Sequence, residues 1–259
     1  MVQAPQVAHL QRDACYERRV VIFYDVLGWQ SHIERAAKTK EDVNLLRRVV
    51  LKMVRAPRMR KDLEIRVSTF SDNVVISQKP GPNTPKLMMQ LAIFQLASAV
   101  SGFLLRGGIT VGDLIHEDEV VFGPGLNRAY YLESKIANFP RFVLDPNCIQ
   151  ELGDLGTLCA TEEGVTFINP FKLAFCEYLR GAKYESAEAL AKAGMPSPKV
   201  AYKDFSNENI LELICDSLHE QVKDPMNDAA FAKVAWLYDR IGKQIGLGSA
   251  KNLPRIRLK

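Results

Sequence analysis

The hydrophobic pattern near the start of the chain predicts a buried strand followed by an amphipathic helix. Residues 18–26 run through apolar positions on both faces, which is typical of a central strand. Thr39 followed by Asp42 resembles a capping box and predicts a helix start. The apolar positions that follow recur at helical spacing, and this helix should end before Pro57.

A hairpin and a second strand–helix alternation come next. Two apolar segments, 63–69 and 73–77, are joined tightly around Asp72 and predict a β-hairpin. After a turn-rich loop, the pattern predicts a helix over 86–101 and a strand over 103–112.

The remaining predicted elements of the core are two strands and a helix. A short strand at 120–122, a helix beginning at 123–125 and a strand at 141–146 follow. The order is β-α-β-β-α-β with additions, which predicts an α+β fold of the ferredoxin-like, split βαβ type. In that arrangement the first strand and the central hairpin lie side by side.

The chain divides into three predicted parts. Residues 1–17 are an N-terminal segment, and residues 18–180 hold the predicted core. From 181 to 259 the pattern becomes helical, with proline-containing loops between the helices. We interpret this last part as a helical extension packed on the core, and we hypothesise that it contributes to a dimer interface.

Composition narrows the class of protein. The formal charge of +4 on 259 residues is small, and the aromatic residues are not interleaved with basic runs, so we expect no nucleic-acid partner. The five cysteines include no CxxC pair, and no signal peptide precedes them. These features predict reduced thiols in a cytoplasmic protein.

One uncharged segment has nearly the length of a membrane span. Residues 87–105 carry no charge, but they include glutamine, serine and glycine, and they divide naturally into the end of a helix and the start of a strand. We therefore expect a buried helix and no membrane span; the membrane interpretation is the alternative.

Two carboxylates stand out because they end apolar strands. Asp25 closes the first strand, and Asp72 lies at the hairpin turn. A buried carboxylate without a partner is costly, so either each has a basic partner or both bind one positive group. The predicted strand order places them together, where two carboxylates repel, and a shared divalent metal removes that conflict. Carboxylate oxygens suit Mg²⁺ or Mn²⁺.

Four segments resemble those of class III nucleotidyl cyclase catalytic domains. The segments are FYDVLGW at 23–29, STFSDNVVIS at 68–77, LLRGGITVGDLI at 104–115 and GPGLNRAYYLES at 123–134. They occur in the family's order, and the similarity covers about 18–180. The chain is most similar to the compact uridylate and cytidylate cyclases of the bacterial Pycsar antiphage systems.

The resemblance implies a reaction and a set of binding residues. A ribose 3′-hydroxyl attacks the α-phosphorus of a nucleoside triphosphate, pyrophosphate leaves, and two Mn²⁺ or Mg²⁺ ions assist. The metal ligands would be Asp25, Asp72 and the carbonyl of Val26. The candidate substrate contacts are the backbone N–H groups of Leu27, Gly28 and Trp29, the ring of Phe23, and the cations Arg106 and Lys172. Phe23 could instead pack in the core. Arg106 and Lys172 could instead make structural contacts.

Two departures from the family concern the nucleobase. Ser68 stands where purine cyclases commonly carry a lysine, and Val120 stands where they carry an aspartate. A purine pocket that loses both hydrogen-bonding partners loses its discrimination. We therefore expect a pyrimidine substrate, with UTP as first choice and CTP as second.

A third departure concerns catalysis. The family's helix asparagine is present as Asn127, but Tyr131 occupies the position of its transition-state arginine, and Arg128 is the candidate substitute. In the family this asparagine acts across a head-to-tail homodimer, which implies composite active sites. The resemblance also implies a separate effector protein that the cyclic nucleotide activates.

Two other functions remain alternatives. One is adenylate or guanylate cyclase activity. The other is a non-catalytic cyclase-like domain that binds a nucleotide and regulates a partner, which Tyr131 favours and the two aspartates oppose. A diguanylate cyclase is not expected, because its Gly-Gly-acidic-acidic-Phe turn is missing.

Overall fold

The structure is a computed structural model, and it describes residues 15–58, 64–118, 120–172, 207–224, 226–247, 249 and 253–254. Its strands are β1 (Glu17–Val26), β2 (Arg66–Phe70), β3 (Asn73–Gln78), β4 (Leu105–His116), β5 (Val121–Phe122), β6 (Phe142–Leu144), β7 (Cys159–Glu162) and β8 (Val165–Ile168). The α-helices are α1 (Trp29–Ala36), α2 (Lys40–Arg58), α3 (Thr84–Val100), α4 (Pro124–Tyr131), α5 (Asn207–Gln221) and α6 (Asp228–Ile245). A π-helical turn, Leu132–Ile136, continues α4, and two 3₁₀ turns cover Ile149–Leu152 and Gly156–Leu158. The predicted helical stretch 185–194 lies outside the described residues.

The strands form one mixed, mostly antiparallel sheet in the order β2-β3-β1-β4-β6-β8-β7, with β5 paired to β4. β1 lies at its centre and pairs antiparallel with β3 on one side and β4 on the other. The α+β class and the predicted neighbourhood of the first strand and the hairpin are therefore confirmed. The parallel pairing of β4 with β6 extends the sheet beyond these four strands.

Several element boundaries and one hairpin differ from the sequence prediction. The helix α2 continues to Arg58 instead of ending before Pro57, a difference of the size by which helix ends vary. β4 runs to His116, because it pairs with β1 along the whole length of that strand. The β7–β8 hairpin was not predicted, although Glu163 and Gly164 have the positive φ values, 50° and 76°, of a tight two-residue turn.

The alternation along β1 divides the sheet into two faces. Val20, Ile22 and Tyr24 are fully buried against the main core, which includes residues of α2, α3, α5 and α6. The opposite face carries Val21 and Phe23, which pack under α4. Asp25 follows these two at the same spacing and so shares the α4 face.

Glycines in β4 allow α4 to lie directly on the sheet. A Cβ atom on Gly108 would lie 2.6 Å from the Cβ of Leu132 and closer still to the carbonyl oxygen of Ala129. A Cβ atom on Gly112 would lie 2.9 Å from the Cα of Gly125. The glycine-rich strand therefore sets the distance between β4 and the helix above it.

The uncharged segment 87–105 folds inside the protein. Helix α3 ends at Val100, the chain turns at Gly102 with φ 82°, and β4 begins at Leu105. Most of α3 is buried in the main core. Among the described residues, no helix is long and apolar enough to cross a membrane.

A cluster of aromatic and arginine side chains packs α6 against the part of the sheet that contains β7 and β8. The Trp236 ring of α6 stacks on Phe139, with ring centroids 5.0 Å apart and planes 4° from parallel. The guanidinium of Arg240 lies 4.1 Å from the centroid of the same indole, and Arg240 also pairs with Glu162. These contacts hold the C-terminal helix against the core.

Candidate active site at the end of the central strand

The site is built around an ion pair between two opposite residues of adjacent strands. Asp25 and Arg106 are direct partners in the β1–β4 register, and Arg106 Nη2 lies 2.9 Å from Asp25 Oδ2. The same Nη2 atom also forms an ion pair with Glu133, in the π-helical turn after α4. The Glu133 side chain is only 3% exposed, so one guanidinium serves two largely desolvated carboxylates.

Burial is the main influence on the ionisation of the acids at this site. Burial raises the pKa of Asp25, the charge of Asp72 raises it further, and Arg106 opposes both. Burial, assisted by the charge of Asp25, raises the pKa of Glu133 to about 7. Both carboxyls are therefore easier to protonate than ordinary ones, and a bound cation would favour their charged forms.

Asp72 reaches the site from the tip of the β2–β3 hairpin. The residue before it, Ser71, has φ 57°, the left-handed conformation in which glycine is preferred. The Ser71 hydroxyl accepts a hydrogen bond of 3.1 Å from Trp29 Nε1, which ties the hairpin to the first residue of α1. The turn thus carries the Asp72 carboxylate close enough to Asp25 to act on its pKa.

The two aspartates suit a divalent cation in chemistry and in local environment. Asp25 Oδ1 is buried and has no hydrogen-bond partner among the described residues, which leaves one carboxylate oxygen available as a ligand. Val26, whose carbonyl was predicted as a further ligand, is the last residue of β1. No group of three or more acidic, histidine or cysteine side chains in the described part of the chain has metal-site geometry. A metal here would therefore depend on two carboxylates, backbone oxygen and substrate, a mode that Mg²⁺ uses.

Helix α6 adds a cation that sequence reasoning missed. The charges of Asp25 and Glu133 act on Lys233, while burial and the neighbouring Arg106 lower its pKa. Lys233 also lines a cavity of about 700 Å³ between α1 and the C-terminal helices, which reaches Leu27 and Gly28. The sequence places Lys233 in a helical pattern, but only the docking of α6 brings it to the site.

The turn after β1 provides part of the predicted phosphate site. Gly28 has φ 72° and precedes the first residue of α1, so the sharp turn predicted there is present. The N–H of Leu27 donates to the carbonyl of Leu104 at 2.8 Å, so it is not available to a phosphate. The predicted contact of Leu27 is corrected on this ground, whereas Gly28 borders the cavity.

Helix α4 exposes two of the three predicted catalytic residues. Asn127 and Tyr131 are exposed on the surface of α4, next to the face that covers the sheet. Arg128 instead donates from Nε and Nη2 to the two carboxylate oxygens of Asp145, at 2.8 and 2.9 Å. That bidentate pair commits Arg128 to a structural contact and does not bring it to Asp25.

The aromatic ring of Phe23 has a partner within the chain. Phe23 packs edge-on against Tyr130 of α4, with ring centroids 5.3 Å apart, and remains partly exposed. Of its two predicted roles, packing in the core is the one the structure displays.

The predicted base-reading residues lie on either side of a buried histidine. Ser68 Oγ is 3.0 Å from His116 Nε2, and Ser77 Oγ is 2.7 Å from His116 Nδ1. Val120 is exposed in the turn next to Val121, which is the β5 partner of His116. His116 was not singled out from the sequence, since nothing local marks a histidine at the end of a strand.

Lys172 lies away from the site. Its Nζ donates to the carbonyls of Thr157 and Cys159, at 3.0 and 2.7 Å. Cys159 begins β7, the edge strand separated from β1 by β4, β6 and β8. The predicted triphosphate contact of Lys172 is therefore corrected to a structural contact at the far edge of the sheet.

No protein-family model matches the chain, and no curated protein matches its sequence. The cyclase resemblance therefore rests on the four motif segments, and the structure adds Glu133, inside the last of them, as a member of the site.

Proposed function

We propose that this protein is a metal-dependent nucleotidyl cyclase that converts a pyrimidine nucleoside triphosphate, with UTP favoured, into a 3′,5′-cyclic nucleotide and pyrophosphate. The observation that carries the proposal is the meeting of Asp25 and Asp72 at one end of the sheet, with a buried carboxylate oxygen left unbonded. The strand order β2-β3-β1-β4, antiparallel throughout, agrees with the ferredoxin-like palm core of class III cyclases.

Asp25 and Asp72 would hold the metal ions, with the carbonyl of Val26 as a further ligand. When bound, such ions acidify the attacking hydroxyl and neutralise the triphosphate. Arg106 holds the Asp25 carboxylate in place from the opposite strand. Gly28 and Lys233 line the neighbouring cavity, so the polyphosphate would extend toward them, at the start of α1.

Catalysis would be completed across a homodimer. Asn127 and Tyr131 are exposed on α4, where a second copy of the chain can use them. Since Arg128 is committed to Asp145, Tyr131 is the residue that would stand in place of the family's arginine. A neutral donor at a charged transition state typically contributes on the order of 3 kcal/mol.

The product would act as a second messenger. In the systems that the chain resembles, the cyclic pyrimidine nucleotide activates a separate effector during antiphage defence, and we extend that role to this protein together with a cytoplasmic location.

A non-catalytic regulator is the second candidate, and one observation favours it. Arg106 already supplies the positive charge between Asp25 and Glu133 that a metal would otherwise supply. In that case the domain would bind a nucleotide without cyclising it, and ATP or GTP cyclase activity would be absent as well.

Incubation of the pure protein with each of the four nucleoside triphosphates and Mn²⁺, followed by mass spectrometry, separates these possibilities. We expect cyclic UMP as the main product, and Asp25→Ala and Asp72→Ala should each abolish it while the thermal unfolding transition stays cooperative. Wild-type turnover by either variant would overturn the two-aspartate assignment. Binding without any product would favour the regulator.

A further inference from the structure

A series of three hydrogen bonds, two buried and the last part-buried, runs along one face of the sheet and ends at Ser68. Arg19 is 1% exposed, and its Nε donates to Ser77 Oγ at 2.8 Å. Ser77 Oγ is 2.7 Å from Nδ1 of the buried His116, whose Nε2 is 3.0 Å from Ser68 Oγ. The four residues come from β1, β3, β4 and β2, so side chains of three other strands position the Ser68 hydroxyl.

The donor-to-acceptor direction of these hydrogen bonds follows from Arg19, the first residue in the series. A guanidinium only donates hydrogen bonds, so Ser77 Oγ accepts from Arg19. Among the contacts of the described residues, the hydroxyl hydrogen of Ser77 then has His116 Nδ1 as its acceptor. With Nδ1 accepting, the imidazole carries its proton on Nε2 and donates it to Ser68 Oγ. A doubly protonated ring would also donate from Nε2, so the last step has the same direction in both states.

On this basis we infer that the Arg19–Ser77–His116 chain makes Ser68 a hydrogen-bond donor that selects uracil over cytosine in the proposed cyclase. Since Ser68 Oγ accepts from His116, and no other partner of Ser68 Oγ is present in the described part of the chain, its own hydrogen can be donated outward. Position 4 of uracil is a carbonyl acceptor, whereas position 4 of cytosine is an amino donor. With cytosine the Ser68 hydrogen would lose its acceptor at that position, and a donor that the bound base desolvates but leaves unpaired is costly.

The position of Ser68 is compatible with this role. Ser68 is opposite Val75, and Val75 is opposite Phe23, so all three share the face that carries Asp25. Two strand spacings and two residues separate Ser68 from Asp25, a distance of about 12 Å from strand geometry. An extended nucleotide spans a comparable distance from its base edge to its phosphates. Ser68 is half-buried on the edge strand β2, so a base can reach it.

The inference rests on the proposed function, and its test compares UTP with CTP in the full-length protein. The ratio of kcat/KM for UTP to that for CTP is measured for the wild type, Ser68→Ala and the matched control Thr69→Ala, an exposed hydroxyl one position along the strand. We expect Ser68→Ala to lower this ratio about tenfold, mainly through UTP, and Thr69→Ala to leave it unchanged. An unchanged ratio in Ser68→Ala would overturn the inference.

Two variants of His116 test its role as a positioning residue. His116→Gln keeps an amide donor near the Nε2 position and should retain the UTP preference, whereas His116→Asn keeps only the position of Nδ1 and should lose it. Cooperative thermal unfolding is the control for both, because His116 is buried; if either fails this control, the Ser68 comparison decides alone. Equal loss of the UTP preference in two folded variants would contradict the proposed role of the Arg19–Ser77–His116 hydrogen bonds.

Measurements of nucleotide binding distinguish failure of this inference from failure of the proposed cyclase function. Calorimetric titration with UTP and CTP in the presence of Mn²⁺ needs no turnover. If the wild type forms no cyclic product but binds UTP more tightly than CTP, and Ser68→Ala removes that difference, the inference stands and the cyclase proposal fails. If neither pyrimidine nucleotide is preferred in binding or turnover, the inference fails.

Discussion

Arg106 and Asp25 face each other across the β1–β4 ladder, and Arg106 Nη2 lies 2.9 Å from Asp25 Oδ2 while Asp25 Oδ1 remains unbonded among the described residues. The sequence leaves two alternatives for the strand-end carboxylates, a basic partner for each or one positive group bound by both. For Asp25 the structure provides the basic partner. Glu133 shares that partner, and Asp72 adds a third acid whose charge acts on Asp25, while Lys233 is the second cation. The same geometry stabilises the site and underlies the proposal that it binds a cation.

Removal of Arg106 should destabilise the fold strongly. Arg106→Met leaves the buried Glu133 and Asp25 without their shared cation, and breaking a buried pair in this way costs about 3 kcal/mol of unfolding free energy. Urea denaturation at pH 8 measures the change. Arg18→Met is the matched control, because Arg18 pairs with Glu151 at the surface and is 56% exposed. Equal effects of the two substitutions would show that the Arg106 network is not desolvated.

Neutralising Glu133 should change the pH dependence of stability. Its folded pKa of about 7 is above the ordinary value of 4.5, so the folded state binds the extra proton between these pH values. Wild-type stability from this group is therefore greatest below pH 4.5 and is lost as the pH rises through 7. Glu133→Gln lacks this loss, so its stability relative to the wild type should rise by on the order of 2 kcal/mol between pH 5 and pH 8.

Urea denaturation of both proteins across that pH range measures the difference. Glu151→Gln is the control, because its hydrogen bond with Arg18 lowers the pKa of Glu151, and its removal should not produce a rise with pH. A flat difference for Glu133→Gln would mean that Arg106 neutralises Glu133 fully.

The close approach of α4 to β4 makes Gly108 intolerant of any side chain. An added Cβ would overlap the carbonyl of Ala129 and lie 2.6 Å from Leu132 Cβ, so the helix must move. We expect Gly108→Ala to lower the unfolding free energy by about 3 kcal/mol. Gly28→Ala is the comparison, since nothing lies within 4 Å of its Cβ position and only its φ of 72° is unfavourable, at about 1 kcal/mol.

Thermal unfolding monitored by circular dichroism ranks the two variants. The reverse order would show that α4 can withdraw from the sheet at little cost, and that Glu133 is not held by the glycine contact.

The parts of the site that the sequence predicts are those with local signals. The apolar run of β1, the tight hairpin and the glycine-rich strand each have a pattern within a few residues, and hairpin pairing then brings Asp72 beside Asp25. The contact of His116 with Ser68 joins residues 48 apart, and no pattern marks it. Lys233 depends on the stacking of Trp236, a tertiary contact, and Leu27 depends on a single backbone hydrogen bond to Leu104.

The composite-site proposal makes a prediction about mixed subunits. Asp25 lies at the end of β1, while Asn127 is exposed on α4, so in a head-to-tail dimer each site would take one residue from each chain. Asp25→Ala and Asn127→Ala should each be nearly inactive, the second by about a hundredfold in kcat. Asn127 is exposed, and in Asp25→Ala the Arg106 guanidinium keeps Glu133 as its partner, so both variants should remain folded.

Mixing the two inactive variants should restore activity. In a mixed dimer one site inherits both substitutions and the other inherits neither. Random exchange at equal ratio makes half of the dimers mixed, and each has one of two sites intact, so activity should return to roughly a quarter of wild type. The measurement is cyclic-nucleotide formation after mixing, with subunit exchange followed independently by native mass spectrometry of differently tagged chains. If exchange is complete and no activity returns, Asp25 and Asn127 act within one chain, and the dimer is not part of the active site.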